Sequence, residues 1–80
     1  MSKENIVKLD IRVIPPSARH PGIVFNMWDK LKVGETLQII NDHDPKPLHQ
    51  MFESEHSGSY TWEYVSNGAQ DWVINITKTK

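Results

Sequence analysis

The sequence contains no cysteine. This absence excludes a structural disulfide, a zinc site with thiolate ligands, an iron–sulfur cluster and any thiol or persulfide nucleophile, because each of them requires a cysteine sulfur. It also removes the usual clue to the redox compartment, which is the state of the thiols. Any chemistry of this chain is therefore expected from imidazole, carboxylate and cationic side chains.

The chain also lacks a large net charge, because its 9 Lys and Arg residues nearly balance its 10 Asp and Glu residues. This balance provides no electrostatic footprint for nucleic acid or for an anionic membrane, and we expect neither as a partner. No long apolar run is present, so we expect neither a secretory signal nor a membrane span, and the predicted location is cytoplasmic.

With 80 residues the chain has room for one domain, predicted over 1–80 with an ordered core at about 6–78. A domain of this size buries only ~60–65% of its unfolded surface and often relies on a partner or a second copy. A homodimer is therefore one expected assembly.

Hydrophobic periodicity predicts six elements in the order β-α-β-α-β-β. The predicted strands cover 7–13, 35–41, 60–65 and 72–77, and the predicted helices cover 21–33 and 45–55. Gly34 is expected to end the first helix, and Asn67-Gly68 within 66–69 predicts a hairpin turn. Lys78 and Lys80 are expected to form a solvated tail.

This order of elements favours an α/β (α+β) two-layer sandwich. Right-handed crossovers would place both helices on one face of a four-stranded mixed sheet. The other face would then lack a covering layer, and Ile6, Ile40 and Val73 could form an apolar patch there. Such a patch would suit a second copy or a partner domain, but ordinary exposed apolar atoms are the favoured explanation.

The turn at 41–48 concentrates more chemically versatile side chains than any other stretch. Asp44 is a suitable N-cap for the second helix, with Pro45 at its first position. Because the first two strands are predicted to be parallel, both helix N-termini should lie at the same edge of the sheet. That places Arg19 and His20 near Asp42, His43 and Asp44.

Three uses of this edge remain open. A divalent zinc, iron or manganese ion could be held by His20, His43 and a carboxylate of Asp42 or Asp44. The simpler alternative to a metal has Asp44 capping the helix while His43 is solvated or bonded to backbone.

The second use is an anionic ligand, which could bind Arg19 and Lys46, although the two carboxylates oppose it.

Acid–base catalysis, by His43 with Asp44 or His20 with Asp42, is the third use. No serine lies in a nucleophile-elbow context, and no deep cleft is expected in so small a chain. We therefore expect a protein that is not an enzyme.

The predicted second helix and third strand carry two further candidates. His49, Glu53 and His56 share one helical stripe and could hold a metal, but such stripes are usually the solvated side of a helix. Tyr60, Trp62 and Tyr64 could stack bases, but core packing is favoured because no basic residues are interleaved.

Several runs resemble an uncharacterised bacterial family, a domain of unknown function with the TusA-like (SirA-like) fold, over about residues 8–78. They are Leu9-Asp10, His20-Pro21, 34–40, 41–48, Trp62-Glu63-Tyr64 and Trp72-Val73-Ile74. The resemblance implies a β-α-β-α-β-β sandwich and no established activity. Members occur alone or fused to hemerythrin-like and cupin-like domains, which implies a role near iron, redox or nitric-oxide-related chemistry and a hemerythrin-like or other redox protein as a partner.

Sulfur-carrier relatives place a Cys-Pro pair where this chain has His20-Pro21. Persulfide relay is therefore excluded, whereas an imidazole can ligate a metal, donate a hydrogen bond or move a proton. We predict a non-catalytic binding or regulatory module that binds a metal ion, a small polar ligand or a partner domain. Its predicted ligand-binding residues are His20, Arg19, Asp42, His43, Asp44 and Lys46, with His20, His43 and Asp44 as metal ligands. The alternative is an accessory docking subunit in redox or sulfur metabolism.

Overall fold

The computed structural model describes residues 5–19, 21–68 and 71–80, and within them it has four strands and two α-helices. The elements are β1 (Ile6–Asp10), short 3-10 helices at Ile11–Val13 and Pro16–Ala18, α1 (Pro21–Asp29), β2 (Thr36–Asn41), α2 (Lys46–Glu55), β3 (Tyr60–Gly68) and β4 (Asp71–Lys78). The predicted order β-α-β-α-β-β is confirmed.

The four strands form one mixed sheet in the order β1-β2-β4-β3. β1 and β2 are parallel, whereas β4 is antiparallel to both of its neighbours. The two central strands align their apolar residues, with Leu37 opposite Ile76 and Ile39 opposite Ile74. The predicted α+β fold with a four-stranded mixed sheet is therefore confirmed.

The core joins both helices to one face of the central strands. Trp28 of α1 and Phe52 of α2 are fully buried, with ring centroids 5.0 Å apart in an edge-to-face arrangement. Full burial of an aromatic ring of this kind stabilises a fold by about 1.5–3 kcal/mol. The buried apolar residues are Val24, Trp28, Leu31, Leu37, Ile39, Phe52, Ile74 and Ile76. This shared cluster is compatible with a two-layer arrangement.

β1 ends at Asp10, three residues earlier than its alternating pattern predicted. The Asp10 carboxylate accepts hydrogen bonds from the backbone N–H of Arg12 at 3.0 Å and from its Nε at 2.8 Å. These bonds turn the chain into the first 3-10 helix, where Val13 is 77% exposed. Ile11 and Val13 therefore do not belong to a strand, although they continue the alternating pattern of β1.

α1 ends at Asp29, and the Lys78 side chain explains how its end is stabilised. The Nζ atom of Lys78 donates to the carbonyl oxygens of Trp28 and Leu31, both at 2.9 Å, and lies 5.0 Å from the Trp28 ring centroid. A cation at a helix C-terminus also opposes the helix dipole favourably. The prediction of a solvated Lys78 was wrong, because this residue belongs to β4. Gly34, at φ 95°, serves the turn into β2.

Asn67 and Gly68, the predicted centre of the hairpin turn, belong to β3. Ser66, Asn67 and Gly68 belong to β3 and pair with β4, and an irregularity between Tyr64 and Ser66 shifts the register. The link between the strands is 69–70, outside the described residues. A bulge adds a residue to one strand, so turn chemistry alone does not place the turn.

The uncovered sheet face is crossed by a polar row formed by Lys8, Gln38, Asn75 and Glu63, which are register neighbours. The Gln38 amide donates to Asn75 Oδ1 at 2.9 Å. Ile40 and Val73 pair with each other beyond this row, whereas Ile6 lies on its other side. The predicted apolar patch is therefore divided into two parts.

Candidate ligand-binding pocket

A half-open pocket of about 190 Å³ lies where β1 and β2 end and the two helices begin. Parallel strands bring their C-terminal ends to the same edge of a sheet, and the loops that follow them enclose a space there. The described residues of its wall are Leu9, Ile11, Ile14, Arg19, Ile23, Val24, Asn41, His43, Pro45, Pro47, Leu48 and Met51. This edge is the one that carries the predicted ligand-binding residues.

The pocket is small and open, and part of its wall is built from the loops at this edge of the sheet. The segment 11–18 leaves the sheet early and forms two 3-10 turns, which place Ile11 and Ile14 as one wall. Pro45, Pro47 and Leu48 contribute from the opposite side. The sequence signal for this wall is the pair of apolar residues Ile11 and Ile14, but the alternating pattern assigns Ile11 to the first strand.

Asn41 is the polar residue that sequence reasoning missed. It is the last residue of β2 and lies on the same face as Leu37 and Ile39, because residues two apart in a strand share a face. It is only 4% exposed, and its Oδ1 has no hydrogen-bond partner among the described residues. An unpaired buried polar group of this kind costs about 1–3 kcal/mol. A buried polar group of this kind beside a pocket marks this edge of the sheet as a candidate functional site.

Three predicted residues are brought together as a chain of polar contacts at the rim. Arg19 is fixed by its Nε, which donates to the Ile14 carbonyl at 2.7 Å, and its Nη1 lies 3.3 Å from Asp42 Oδ2. The other Asp42 oxygen accepts from His43 Nδ1 at 2.7 Å. The proximity of Arg19 to Asp42 and His43, inferred from the parallel strands, is thus present in the structure.

The hydrogen bond from His43, followed by that from Arg19, lowers the pKa of Asp42. Asp42 is therefore an anion at neutral pH, and its carboxylate oxygen accepts a hydrogen bond from Nδ1 of His43. Both side chains are at least half exposed, so their contact orients the ring and contributes little to stability.

Asp44 has a different role from the predicted helix cap. Its Oδ1 accepts a hydrogen bond from the Tyr64 hydroxyl at 2.9 Å. α2 begins at Lys46, its N-cap position is Pro45, and no side chain caps it. The prediction of Asp44 as N-cap and Pro45 as first helical residue was wrong, because β3 takes up the carboxylate. Burial and this contact with Asp44 raise the pKa of Tyr64.

Lys46 is exposed at the start of α2 and does not belong to the pocket wall. His20 lies outside the described residues. Among the residues that the structure describes, no three His, Asp or Glu side chains are grouped closely enough to hold a metal ion. The metal site of His20, His43 and Asp44 stays a prediction, and isothermal titration with zinc and ferrous iron would test it.

The polar stripe of α2 packs against β3. His49 stacks on Trp62 with ring centroids 4.1 Å apart, and Glu53 accepts from the Tyr60 hydroxyl at 2.7 Å. Burial, together with Glu53, raises the pKa of Tyr60 to about 12. His56 lies 5.6 Å from the Phe25 ring, centroid to centroid. These aromatic and hydrogen-bond contacts give the stripe a structural role.

The strand aromatics face the helices and not the uncovered side of the sheet. Trp62 is half-buried and lies 6.0 Å from Phe52, centroid to centroid, in agreement with the favoured core packing. Glu63, between Trp62 and Tyr64, is exposed on the opposite face beside Asn75.

Across the described ranges, neither helix is long and apolar enough to cross a membrane.

The fold and the pocket define an α+β domain with an apolar cavity at the C-terminal edge of two parallel strands. A family model described as "Uncharacterized conserved protein (DUF2249)" matches residues 8–78, and the chain belongs to this family. Comparison with curated proteins and with solved structures gives no significant match.

Proposed function

We propose that this domain is a non-catalytic binding or regulatory module that takes a small, mainly apolar molecule into the pocket between α1 and α2. The observation that carries the proposal is the combination of a mainly apolar wall with one buried polar side chain, Asn41, whose Oδ1 has no partner among the described residues. Binding sites for small molecules have this composition, in which apolar side chains supply affinity and a few polar groups supply orientation.

The size of the pocket limits the ligand. A buried apolar cavity of about 150 Å³ accepts benzene. The pocket of about 190 Å³ is slightly larger, and it is open on one side. A compact aromatic or branched aliphatic body of about six to ten non-hydrogen atoms fits this space.

The composition of the wall favours binding over catalysis. Asp42 orients His43 as an acid or base is oriented in hydrolytic enzymes. However, the described residues of the wall include no serine or threonine hydroxyl that the imidazole would activate. We therefore assign the polar rim to recognition of the ligand.

Docking to a hemerythrin-like or other redox protein, a role in redox or sulfur metabolism, a TusA-like fold and a homodimer stay predictions. They rest on the family resemblance and on the small size of the chain. The apolar surface on the uncovered sheet face is divided into two parts. It therefore supports a protein partner less well than the pocket supports a small ligand.

Titration of ¹⁵N-labelled protein with toluene, followed by two-dimensional NMR, tests the proposal. We expect shifts concentrated at the pocket wall and saturation at millimolar ligand. The variant Ile23→Phe places additional carbon atoms in the pocket and should weaken toluene binding at least tenfold. Val33→Phe is the matched control, because Val33 is 62% exposed and outside the pocket wall. Absence of localised shifts in the wild-type protein would refute a small apolar ligand.

A further inference from the structure

We infer that the pocket selects a small monocarboxylate, a compact apolar body that carries one ionised carboxyl group, and that Arg19 is the residue that binds this group. The inference rests on the proposed function and adds the chemical class of the ligand. In such a complex the carboxylate lies beside the Arg19 guanidinium at the rim, and the apolar body lies in the pocket.

The hydrogen bonds of Arg19 provide the first argument. Its side chain is only 19% exposed, and its Nε donates to the Ile14 carbonyl at 2.7 Å. The two Nη atoms have only long contacts among the described residues, since Nη1 lies 3.3 Å from Asp42 Oδ2 and Nη2 lies 3.4 Å from the Arg12 carbonyl oxygen. Both distances exceed the usual N–H···O range of about 2.7–3.2 Å. A largely buried guanidinium therefore retains N–H groups that a ligand oxygen can accept.

A comparison with Arg12 shows that such loose contacts are not general in this molecule. Arg12 is 41% exposed, and yet it makes hydrogen bonds of 2.7 and 2.8 Å to Asp10 and one of 2.9 Å to Asp71. A more buried charge loses more hydration, so it has the greater need of hydrogen-bond partners. Arg19 is the more buried of these two residues and has the weaker contacts, and a bound carboxylate would supply what its Nη atoms lack.

The charges around the pocket provide the second argument. Arg19 carries a permanent positive charge, and no Asp or Glu is among the described residues of the wall. Asp42 lies outside that wall and is half exposed, and its shorter contact is the 2.7 Å hydrogen bond with Nδ1 of His43. Water screens the repulsion between an exposed carboxylate of this kind and a ligand. Asp42 therefore weakens the preference for an anion without cancelling it.

The shape of the guanidinium selects a carboxylate among the possible anions of this size. Two of its N–H groups can donate in parallel to the two oxygens of a carboxylate, and such charge-assisted bonds are stronger than neutral ones. Ile14, whose carbonyl holds Arg19, is itself part of the apolar wall. The guanidinium thus borders apolar surface directly, and a ligand with a charged end and an apolar body matches both parts.

A series of ligands that share one ring tests the inference with the full chain. Benzoate, benzamide and toluene have similar sizes, but only benzoate is an anion at neutral pH. We expect benzoate to bind about three- to tenfold more tightly than benzamide in NMR titrations at constant ionic strength. In Arg19→Met this preference should disappear, whereas toluene should still bind, because methionine keeps an apolar chain at the position. Lys46→Met is the matched control and should keep the preference, because Lys46 is exposed and outside the wall.

The outcomes separate the inference from the proposed function. Equal affinities for benzoate and benzamide in the wild-type protein would overturn the inference and leave the pocket as a binding site for toluene. A preference that survives in Arg19→Met, or that is lost in Lys46→Met, would also overturn it, since Arg19 would then not be the group that binds the carboxylate. Absence of binding of all three compounds would refute the proposed function itself. If Arg19→Met does not fold, the wild-type comparison together with Lys46→Met still decides.

Discussion

The two ends of the sheet differ in how their polar groups are paired. We call the end at which β1 and β2 begin the closed end, and the end at which both strands finish the pocket end. At the closed end Glu35 accepts from the Lys32 backbone N–H at 2.7 Å and from Asn5 Nδ2 at 3.0 Å. The hydroxyls of Thr36 and Thr77 share a hydrogen bond of 2.8 Å. Lys78 closes the C-terminus of α1 at the same end.

The polar groups of the pocket end are less completely paired. This end combines a pocket, an Asn41 oxygen with no partner among the described residues and a charged rim on which Asp42 is half exposed. Unpaired buried groups lower stability, and such features in folded proteins concentrate at functional sites. The comparison indicates that the closed end stabilises the fold, whereas the pocket end leaves interactions available for a ligand.

The largest expected effect tests the closed end. Lys78→Met removes two charge-assisted hydrogen bonds to the carbonyls of Trp28 and Leu31 and the contact with the Trp28 ring. We expect the free energy of unfolding to fall by about 2–4 kcal/mol, measured by urea denaturation. Lys80→Met is the matched control and should have an effect within about 0.5 kcal/mol, because Lys80 is exposed. Equal effects of the two substitutions would show that the Lys78 contacts do not stabilise α1.

A smaller effect of opposite sign is expected at the pocket end. Asn41→Leu replaces a side chain whose buried Oδ1 has no partner among the described residues with an apolar side chain of similar size. The substitution should raise the free energy of unfolding by about 1–3 kcal/mol. Gln38→Leu is the control on the same strand, and it should not stabilise because the Gln38 amide is paired with Asn75. A loss of stability in Asn41→Leu would contradict the assignment, since it would mean that the amide is satisfied in the folded protein.

The smallest expected effect is a change in the stability of the protein in acid. Hydrogen bonds from the Lys32 backbone and from Asn5 lower the pKa of Glu35. A carboxyl group with a lowered folded-state pKa stabilises the protein above its unfolded-state pKa of about 4.3, and this contribution is lost as the pH falls through the folded-state value. Glu35→Gln should therefore reduce the difference between unfolding free energies measured at neutral pH and in acid. If the variant and the wild-type protein lose the same stability in acid, Glu35 does not contribute.

Much of the fold follows from local patterns in the sequence. The helical stripe of Val24 and Trp28 and the alternation of Trp72, Ile74 and Ile76 identify elements that bury one face. The parallel arrangement of β1 and β2 then brings Arg19 to the edge that carries Asp42 and His43. These predictions succeed because periodicity and strand connection both follow from backbone geometry.

The features that distinguish the two ends depend on tertiary contacts and could not be read from local patterns. Lys78 was expected in solvent because nothing near it in the sequence indicates that the end of α1 lies beside it. Asp44 has the sequence signature of a helix cap, but Tyr64, 20 residues away, takes its carboxylate. Asn41 is a polar residue on the inward face of β2, and its role depends on the pocket beside it.

The register irregularity between Tyr64 and Ser66 has a consequence for the behaviour of the protein at high concentration. β3 is an edge strand of nine residues, and Val65 within it is exposed. A long, regular edge of this kind is a template for pairing with a strand of another molecule. A bulge interrupts the ladder of unpaired backbone groups and increases the local twist, so a second chain cannot align along the whole edge. This irregularity therefore opposes aggregation through the nine-residue edge strand.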